Sequence, residues 1–253
     1  MSEVIVAVSS LSKHFEGLVA VNAVSLEVRR RQVHAIIGPN GAGKTTLLNL
    51  LSGDLPPSAG GIRYDGREIA GLPAHRISQL GIARSYQKTN LFPHFTVFEN
   101  CRLAAQSRLK SSMRFFRPAG SYCGVNDAAE RVLEFIGLTR ESGRLAGTLS
   151  HGEQRQLEIA MTLATSPQVL LLDEPLAGMG AEESSRMTAL IARLATDHAV
   201  VLVEHDMDAV FSVAHVLTVM VNGSVLESGD PQAIRRSKTV QEAYLGGEDG
   251  AMA

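Results

Sequence analysis

The most informative stretch of the sequence is Gly38-Pro39-Asn40-Gly41-Ala42-Gly43-Lys44-Thr45-Thr46. They follow an apolar segment that ends at Ile37 and precede a second one that starts at Leu47. The spacing G-x-x-x-x-G-K-[ST] is met here, in the strand–loop–helix context in which the motif binds phosphates. Glycines let backbone N–H groups curl around an anion, and the following helix adds the positive end of its dipole. The stretch therefore predicts a loop that binds nucleotide phosphates.

Two side chains of this phosphate loop have specific predicted roles. Lys44 supplies a point charge for the β- and γ-phosphates, and Thr45 offers its hydroxyl to Mg²⁺. The alternative is a glycine-rich turn that carries a lysine by chance. An apolar strand before the loop and a helix after it argue against that alternative.

Bulk composition limits the classes of protein that need to be considered. The 253 residues suffice for one large α/β domain, or for a core with a subdomain. A net charge of −2 argues against a nucleic-acid partner bound by bulk electrostatics. Cys101 and Cys123 have neither metal-ligand nor disulfide-framework spacing, which favours a reducing compartment. No signal-peptide pattern occurs and no apolar run approaches the ~18 residues of a membrane span. We therefore expect any work at a membrane to depend on a partner.

The order of periodic segments predicts the fold class. Short strands are predicted at 4–8, 24–28, 169–172, 200–203 and 216–221, a loop at 53–61, and a hairpin at 62–69 that turns at Asp65-Gly66. Helices are predicted at 74–80, 96–107, 127–136 and 152–164. Another helix is indicated by Met187, Leu190, Ile191 and Leu194, which share one helical face. Strands that alternate with helices imply parallel βαβ units. We predict an α/β core from residues 1–86 and 167–253, with a mostly helical insertion over 87–166.

A strand that ends in two carboxylates supplies the second chemical motif. Val169-Leu170-Leu171-Leu172-Asp173-Glu174 would end at the same sheet edge as the phosphate loop, because ligands of parallel sheets bind at strand carboxyl ends. Asp173 is then placed to hold Mg²⁺, directly or through water. Glu174 is placed to orient and deprotonate the attacking water, which is typically worth ~10²–10⁴-fold in rate.

The segment Leu149-Ser150-His151-Gly152-Glu153-Gln154 supports two interpretations. Ser150 and Glu153 have the spacing of a capping box at a helix start. A capped helix N-terminus is also an anion site, so both interpretations can hold together.

These motifs, in this order, resemble those of the ATP-binding cassette (ABC) ATPases, and the resemblance covers essentially the whole chain. It implies ATP and Mg²⁺ as ligands, and a P-loop NTPase core with a mostly parallel sheet, an antiparallel β-subdomain and an inserted helical subdomain that carries the signature. It also implies a head-to-tail homodimer, or a heterodimer with a paralogous ATPase subunit. Each ATP site would combine the phosphate loop of one subunit with Ser150 and Gly152 of the other.

The resemblance also assigns residues position by position. Phe15 matches an aromatic that stacks on adenine, Gln87 matches a glutamine that senses Mg²⁺ and the attacking water, and His205 matches a histidine that contacts the γ-phosphate. The implied nucleotide-binding set is Phe15, Gly38, Pro39, Asn40, Gly41, Ala42, Gly43, Lys44, Thr45, Thr46, Ser150 and Gly152. The implied metal-binding set is Thr45, Gln87 and Asp173, and the implied catalytic set is Glu174, His205, Lys44 and Gln87.

Three positions depart from the family pattern. His151 stands where glycine is commonest, Glu153 where glutamine is commonest, and Gly180 where aspartate is usual. The first two change the side chains at the expected dimer interface. The third changes the loop through which the two ATP sites would communicate.

Finer similarities, such as Leu157-Glu158-Ile159-Ala160 and the segment 90–100, resemble the ATPase subunits of bacterial branched-chain amino-acid importers. Relatives for urea, amides or aromatic acids look similar. The resemblance implies transmembrane permease subunits, indirectly a solute-binding protein, and a place at the cytoplasmic face of the bacterial inner membrane.

Residues 88–105 would receive a permease helix, and Arg108, Lys110, Arg114 and Arg117 are either a solvated loop or a contact with lipid or permease. A lipopolysaccharide-export type, a non-transport ABC ATPase and a small-molecule P-loop kinase are the alternatives.

Overall fold

The structure is a computed structural model that describes residues 3–86, 90–109 and 123–245. The strands are β1 Val4–Phe15, β2 Leu18–Arg29, β3 Val33–Ile37, β4 Ala59–Tyr64, β5 Arg67–Glu68, β6 Ile82–Arg84, β7 Val169–Asp173, β8 Ala199–Val203, β9 Val216–Val221 and β10 Ser224–Gly229. The helices are α1 Lys44–Ser52, α2 Ala74–Leu80, α3 Val97–Gln106, α4 Cys123–Ile136, α5 His151–Ala164, α6 Ala181–Leu194, α7 Met207–Val213, α8 Pro231–Arg235 and α9 Lys238–Leu245.

The larger sheet is a six-stranded sheet in the order β10-β9-β3-β8-β7-β6. All its neighbouring strands pair in parallel except β10, which pairs antiparallel with β9. Every residue of β3, β7 and β8 is buried. Continuous apolar strands of this kind are expected where a parallel sheet is covered on both faces. The predicted α/β fold class with a mostly parallel sheet is confirmed.

The smaller sheet is antiparallel, in the order β2-β1-β4-β5. Strands β1 and β2 are each 12 residues long, so the short strands predicted at 4–8 and 24–28 were underestimates. Register shifts interrupt their pairing, and Ser10 and Ala23 have positive φ angles, which hides the alternation from sequence inspection. The loop predicted at 53–61 was also too long, because β4 starts at Ala59. The predicted turn at Asp65-Gly66 has φ angles of 48° and 76°, as a type I′ turn requires.

Helices α3, α4 and α5 pack against one another, and α5 also contacts β6. The helix predicted at 74–80 has those bounds, and the other three predicted helices appear within a few residues of theirs. The four apolar residues that indicated a helix around position 190 are buried along α6. None of the helices in the described ranges combines the length and the apolar character needed to cross a membrane.

The order of the strands brings the chemical motifs to one edge of the larger sheet. Strands β3, β8 and β7 are parallel neighbours. The phosphate loop follows β3, Glu174 follows β7 and Glu204 follows β8. All three segments therefore leave the sheet at its carboxyl edge, where ligands of such sheets bind.

Candidate functional site

A cleft of about 580 Å³ lies at this edge of the sheet, within the usual range of small-molecule sites. It is lined by Phe15, Leu18, Val19, Ala20, Asn40, Gly41, Ala42, Gly43, Lys44, Thr45, Thr46, Glu174 and Asn222. The cleft therefore brings together most of the phosphate loop, the predicted aromatic and the predicted general base.

The backbone of the phosphate loop requires glycine at two positions. A Cβ atom on Gly38 would lie 2.1 Å from the carbonyl oxygen of Met220. A Cβ atom on Gly43, whose φ is 94°, would lie 2.3 Å from the carbonyl oxygen of Ala20. Neither carbonyl belongs to a flexible side chain, so a larger residue would displace the loop from β9 or β2.

Lys44 folds back over the loop that precedes it. Its Nζ donates hydrogen bonds to the carbonyl oxygens of Gly38 at 2.7 Å and Pro39 at 3.0 Å. Burial lowers the pKa of Lys44, and the nearby carboxylates of Glu174 and Asp173 oppose that shift. The ammonium group is thus held at the centre of the loop, where a bound polyphosphate would meet it.

Asp173 ends β7 and is almost fully buried, with 1% of its surface exposed. Its Oδ2 accepts a hydrogen bond of 2.9 Å from Nη2 of Arg84, a residue that sequence inspection did not single out. Its Oδ1 has no hydrogen-bond partner within the described ranges. Burial raises the pKa of the Asp173 carboxyl, whereas Arg84 lowers it.

The residues around Asp173 fit a magnesium ion held together with a nucleotide. Mg²⁺ in such sites takes one or two carboxylate oxygens and completes its shell with phosphates and water. Asp173 Oδ1 offers a buried carboxylate oxygen, and the exposed Thr45 offers a hydroxyl at the edge of the cleft. The described residues contain no group of three or more His, Cys, Asp or Glu that could hold a metal ion by themselves. The donor set thus suits a metal that arrives with phosphates.

Glu174 lines the cleft and has a backbone φ of 48°, in the left-handed region. Its N–H donates a 2.9 Å hydrogen bond to the carbonyl of Val203 at the end of β8. A non-glycine residue in this region costs on the order of 1–3 kcal/mol, and such strain is concentrated at functional sites. The neighbouring strand therefore fixes the direction in which the chain turns at Glu174.

Phe15 lies at the end of β1 and forms the apolar wall of the cleft with Leu18 and Val19. All three are exposed apolar side chains, and Leu18 has 67% of its surface exposed. The Nζ of Lys13 lies 5.1 Å from the centroid of the Phe15 ring. Sequence inspection missed Leu18, Val19 and Asn222, although the two apolar residues beside a hairpin turn were a visible signal. Such a wall suits a planar base.

Ser150 and Gly152 are not part of this cleft. Ser150 Oγ accepts a hydrogen bond from the N–H of Glu153, and Glu153 Oε2 accepts one from the N–H of Ser150, so the predicted capping box is confirmed. Both residues line a second, polar pocket beside Glu183, and that pocket shares no residue with the cleft. A Cβ atom on Gly152 would lie 2.7 Å from Oε1 of Glu183, so α5 and α6 approach closely here.

The departures from the family pattern have local structural partners. Glu153 completes the capping box. The ring of His151 lies against Gly178, because a Cβ on that glycine would be 3.5 Å from His151 Cε1. Gly180 is the N-cap residue of α6 and supplies no side-chain cap.

His205 is not among the residues that line the cleft. The side chain of His205 is 67% exposed, and its backbone N–H donates to Oε2 of Glu204 at 3.0 Å. Glu204, which sequence inspection missed, also accepts a 2.8 Å hydrogen bond from the N–H of Leu176. Burial raises the pKa of Glu204, and these backbone donors oppose the shift. Gln87 lies outside the described residues.

Comparisons with known proteins agree with this geometry. The family model described as ABC transporter matches residues 21–177, and the model described as branched-chain amino acid ATP-binding cassette transporter matches residues 224–250. The chain is 44% identical to the high-affinity branched-chain amino acid transport ATP-binding protein BraF of Pseudomonas aeruginosa, over 97% of this chain and 99% of BraF. It is 39% identical to the corresponding LivG protein of Escherichia coli, with the same coverage. An ATP-binding cassette of an ABC transporter, solved in its ADP conformation, superposes with a TM-score of 0.86 at 27% identity, over 97% of this chain and all of that one.

Proposed function

Because this chain belongs to the ABC transporter family, we propose that it is the ATP-hydrolysing subunit of a membrane importer for branched-chain amino acids or related small solutes. The observation that carries the proposal is that Lys44 of the phosphate loop and Glu174 line one cleft. The near full-length similarity to BraF and LivG supports the importer function over the lipopolysaccharide-export and non-transport alternatives.

In the proposed site, the phosphate loop and Lys44 bind the polyphosphate of ATP, and the wall around Phe15 holds the adenine. Thr45 and Asp173 would hold Mg²⁺, with Gln87 as a further ligand from beyond the described residues. The metal neutralises charge that develops on the transferred phosphoryl group. Asp173 Oδ1, which has no hydrogen-bond partner among the described residues, supports this assignment.

Glu174 acts as the general base in the proposed mechanism. It orients a water molecule against the terminal phosphate and takes its proton as the new oxygen–phosphorus bond forms and the bond from that phosphorus to the leaving oxygen of ADP breaks. His205 contacts the γ-phosphate from the end of the neighbouring strand β8. Lys44 and the loop N–H groups stabilise the charge, so catalysis rests on positioning and electrostatics.

The functional unit in this proposal is a dimer. Among the described residues of one chain, none lines both the cleft and the pocket around Ser150 and Gly152. The N-terminus of α5 is nevertheless a ready anion site, with N–H groups and dipole directed outward. In a head-to-tail dimer, with a second copy or a paralogous subunit, Ser150 and Gly152 of one chain would close over the ATP bound by the other.

The proposed permease contact is a groove of about 370 Å³ between the core and helices α3 and α5. Tyr86, Asn90, Ala104 and Met161 are among its lining residues. Nearby, Phe92 and Phe95 are exposed and their rings stack at 5.4 Å. A permease helix in this groove would hold the chain at the cytoplasmic face of the inner membrane, and a solute-binding protein would act through the permease.

The basic segment that starts at Arg108 gives little support to a lipid contact. Arg108 Nη1 donates hydrogen bonds of 3.1 Å to the carbonyl oxygens of Ser78 and Gln79, near the end of α2. This residue therefore has a structural role in capping a helix. Lys110, Arg114 and Arg117 lie outside the described residues.

Glu174→Gln tests the proposed function directly. The variant should lose ATP hydrolysis, because an amide cannot accept the proton of water, while MgATP should still bind and hold a dimer. Phosphate release and gel filtration with MgATP measure the two outcomes. Glu182→Gln, on the exposed face of α6, is the matched control and should hydrolyse ATP normally. Normal turnover by Glu174→Gln would remove Glu174 from its role.

A further inference from the structure

A buried arginine connects Asp173 to the end of the phosphate-loop helix. Arg84 ends β6, and only 5% of its side chain is exposed. Its Nη2 donates to Oδ2 of Asp173 at 2.9 Å. Its Nη1 donates to Oδ2 of Asp54 at 3.1 Å and to Oγ of Ser52 at 3.2 Å, and also to Oδ1 of Asn49.

This arrangement fixes the guanidinium from two sides. The planar fork of arginine binds two carboxylates with separate nitrogens, which lysine cannot reproduce with a single ammonium. Ser52, the last residue of α1, and Asp54, two residues further on, hold one end of the fork. The other end is therefore held in a constant position against Asp173.

The consequence for Asp173 is that its two oxygens are no longer equivalent. Oδ2 is taken by Arg84, while Oδ1 has no hydrogen-bond partner within the described ranges. A rotation of the carboxylate would break the 2.9 Å hydrogen bond in a buried site, where a lost charged bond is expensive. The carboxylate is thus held with one defined oxygen available.

We propose that Arg84 is a positioning residue that holds Asp173 by Oδ2 and thereby presents Oδ1 to the Mg²⁺ of the bound nucleotide. The inference rests on the proposed function, since it concerns the metal of the ATP site. Residues that orient a metal ligand from behind typically contribute 10- to 100-fold to metal affinity.

The test is the Mg²⁺ dependence of ATP binding in full-length Arg84→Gln and Arg84→Lys, measured with a fluorescent ATP analogue. In EDTA, both variants should bind the analogue like the wild type. The Mg²⁺ concentration for half-maximal enhancement of binding should rise about 10- to 100-fold in Arg84→Gln. The Mg²⁺ concentration for half-maximal enhancement in Arg84→Lys should lie between those of the wild type and Arg84→Gln, because lysine keeps the charge and loses the bridge.

Asp54→Asn is the matched control, since it removes one charge at the other end of the bridge, while Ser52 and Asn49 still accept from Nη1 and Nη2 keeps its hydrogen bond to Asp173. It should lower the melting temperature and leave the Mg²⁺ dependence within about twofold, a threshold well below the effect expected of a residue that orients a metal ligand. An equal shift in Asp54→Asn and Arg84→Gln would reduce Arg84 to a structural role, as would an unchanged Arg84→Gln. If Arg84→Gln does not fold, Arg84→Lys decides by the same comparison. A wild type whose ATP binding does not respond to Mg²⁺ would overturn the inference, whereas a wild type that hydrolyses no ATP in the presence of Mg²⁺ would contradict the proposed function itself.

Discussion

At the scale of single residues, His34 shows how a buried polar group supports the site without touching it. It lies in β3, the strand that leads into the phosphate loop, and is 3% exposed. Its Nδ1 lies 3.1 Å from the carbonyl oxygen of Glu27, and its Nε2 lies 2.7 Å from Oγ1 of Thr218. Thr218 in turn pairs with Oγ of Ser228. The imidazole therefore links β3 to the smaller sheet and to β9.

His34 should make the stability of the protein depend on pH. Burial lowers its pKa from 6.5 to about 4, against the opposing bond to Glu27. The unfolded chain takes up a proton at His34 as the pH falls below about 6.5, whereas the folded chain takes it up only near pH 4. The contribution of neutral His34 to the free energy of unfolding is therefore fully present above pH 6.5 and is lost as the pH falls from 6.5 to about 4. From pH 7.5 to 5.0 the loss due to His34 should be about 2 kcal/mol.

Urea unfolding at the two pH values measures this loss. His34→Gln removes the titrating group, so its stability should fall less on acidification than that of the wild type. His75→Gln, at an exposed position in α2, is the control and should keep the wild-type dependence. A His34→Gln variant with the wild-type pH dependence would show that His34 is not the source.

At the scale of elements, helix α5 holds the segment that leads to Gln87. Oε1 of Glu158 accepts a 2.8 Å hydrogen bond from the N–H of Tyr86, and Nη1 of Arg155 donates a 2.7 Å bond to the carbonyl of the same residue. Arg155 and Glu158 also pair with each other at 3.1 Å. Helix α5 thus holds both the N–H and the carbonyl of Tyr86, the residue just before Gln87, by hydrogen bonds.

These contacts predict strong energetic coupling between Arg155 and Glu158 in the stability of the fold. Removing one partner of a buried ion pair typically costs about 3–5 kcal/mol, because the other charge loses its compensation. Glu158→Ala and Arg155→Ala should each be destabilised to that order, and the double variant by clearly less than their sum. Urea unfolding of the three variants gives the coupling energy. Arg186 and Glu182 form an exposed ion pair on α6 and provide the control. The variants Arg186→Ala and Glu182→Ala should show almost no coupling energy.

Patterns within single elements were predictable from the sequence, whereas contacts between distant elements were not. The phosphate loop, the strand ending at Asp173 and the capping box at Ser150 each depend on residues close together in the chain. Strand β6 has three residues, too few for a periodic signal. Arg84 was invisible because its partner Asp173 lies 89 positions further along the chain. Glu204 was missed for the same reason, since it binds Leu176 from 28 positions away.

At the scale of the whole molecule, the two predicted parts of the ATP site lie in separate pockets of one chain. The cleft carries the phosphate loop and Glu174, whereas Ser150 and Gly152 line a different pocket beside α6. Assembly of two chains is thus the step that would complete each proposed ATP site.

Mixing two inactive variants tests this division. Lys44→Ala should lose phosphate binding, and Ser150→Arg should block the surface at the start of α5 with a bulky side chain, so each alone should be inactive. In a head-to-tail dimer of the two variants, one site carries both changes and the other carries neither. Random pairing makes about half of the dimers mixed, and each mixed dimer has one intact site of two. With independent sites, the mixture should therefore recover up to about a quarter of wild-type hydrolysis. Phosphate release from equimolar mixtures measures this recovery, and Lys44→Ala mixed with Glu174→Gln is the control that should stay inactive. A mixture of Lys44→Ala and Ser150→Arg that also stays inactive, while two wild-type chains hydrolyse ATP, would contradict two independent sites that each combine parts of both chains.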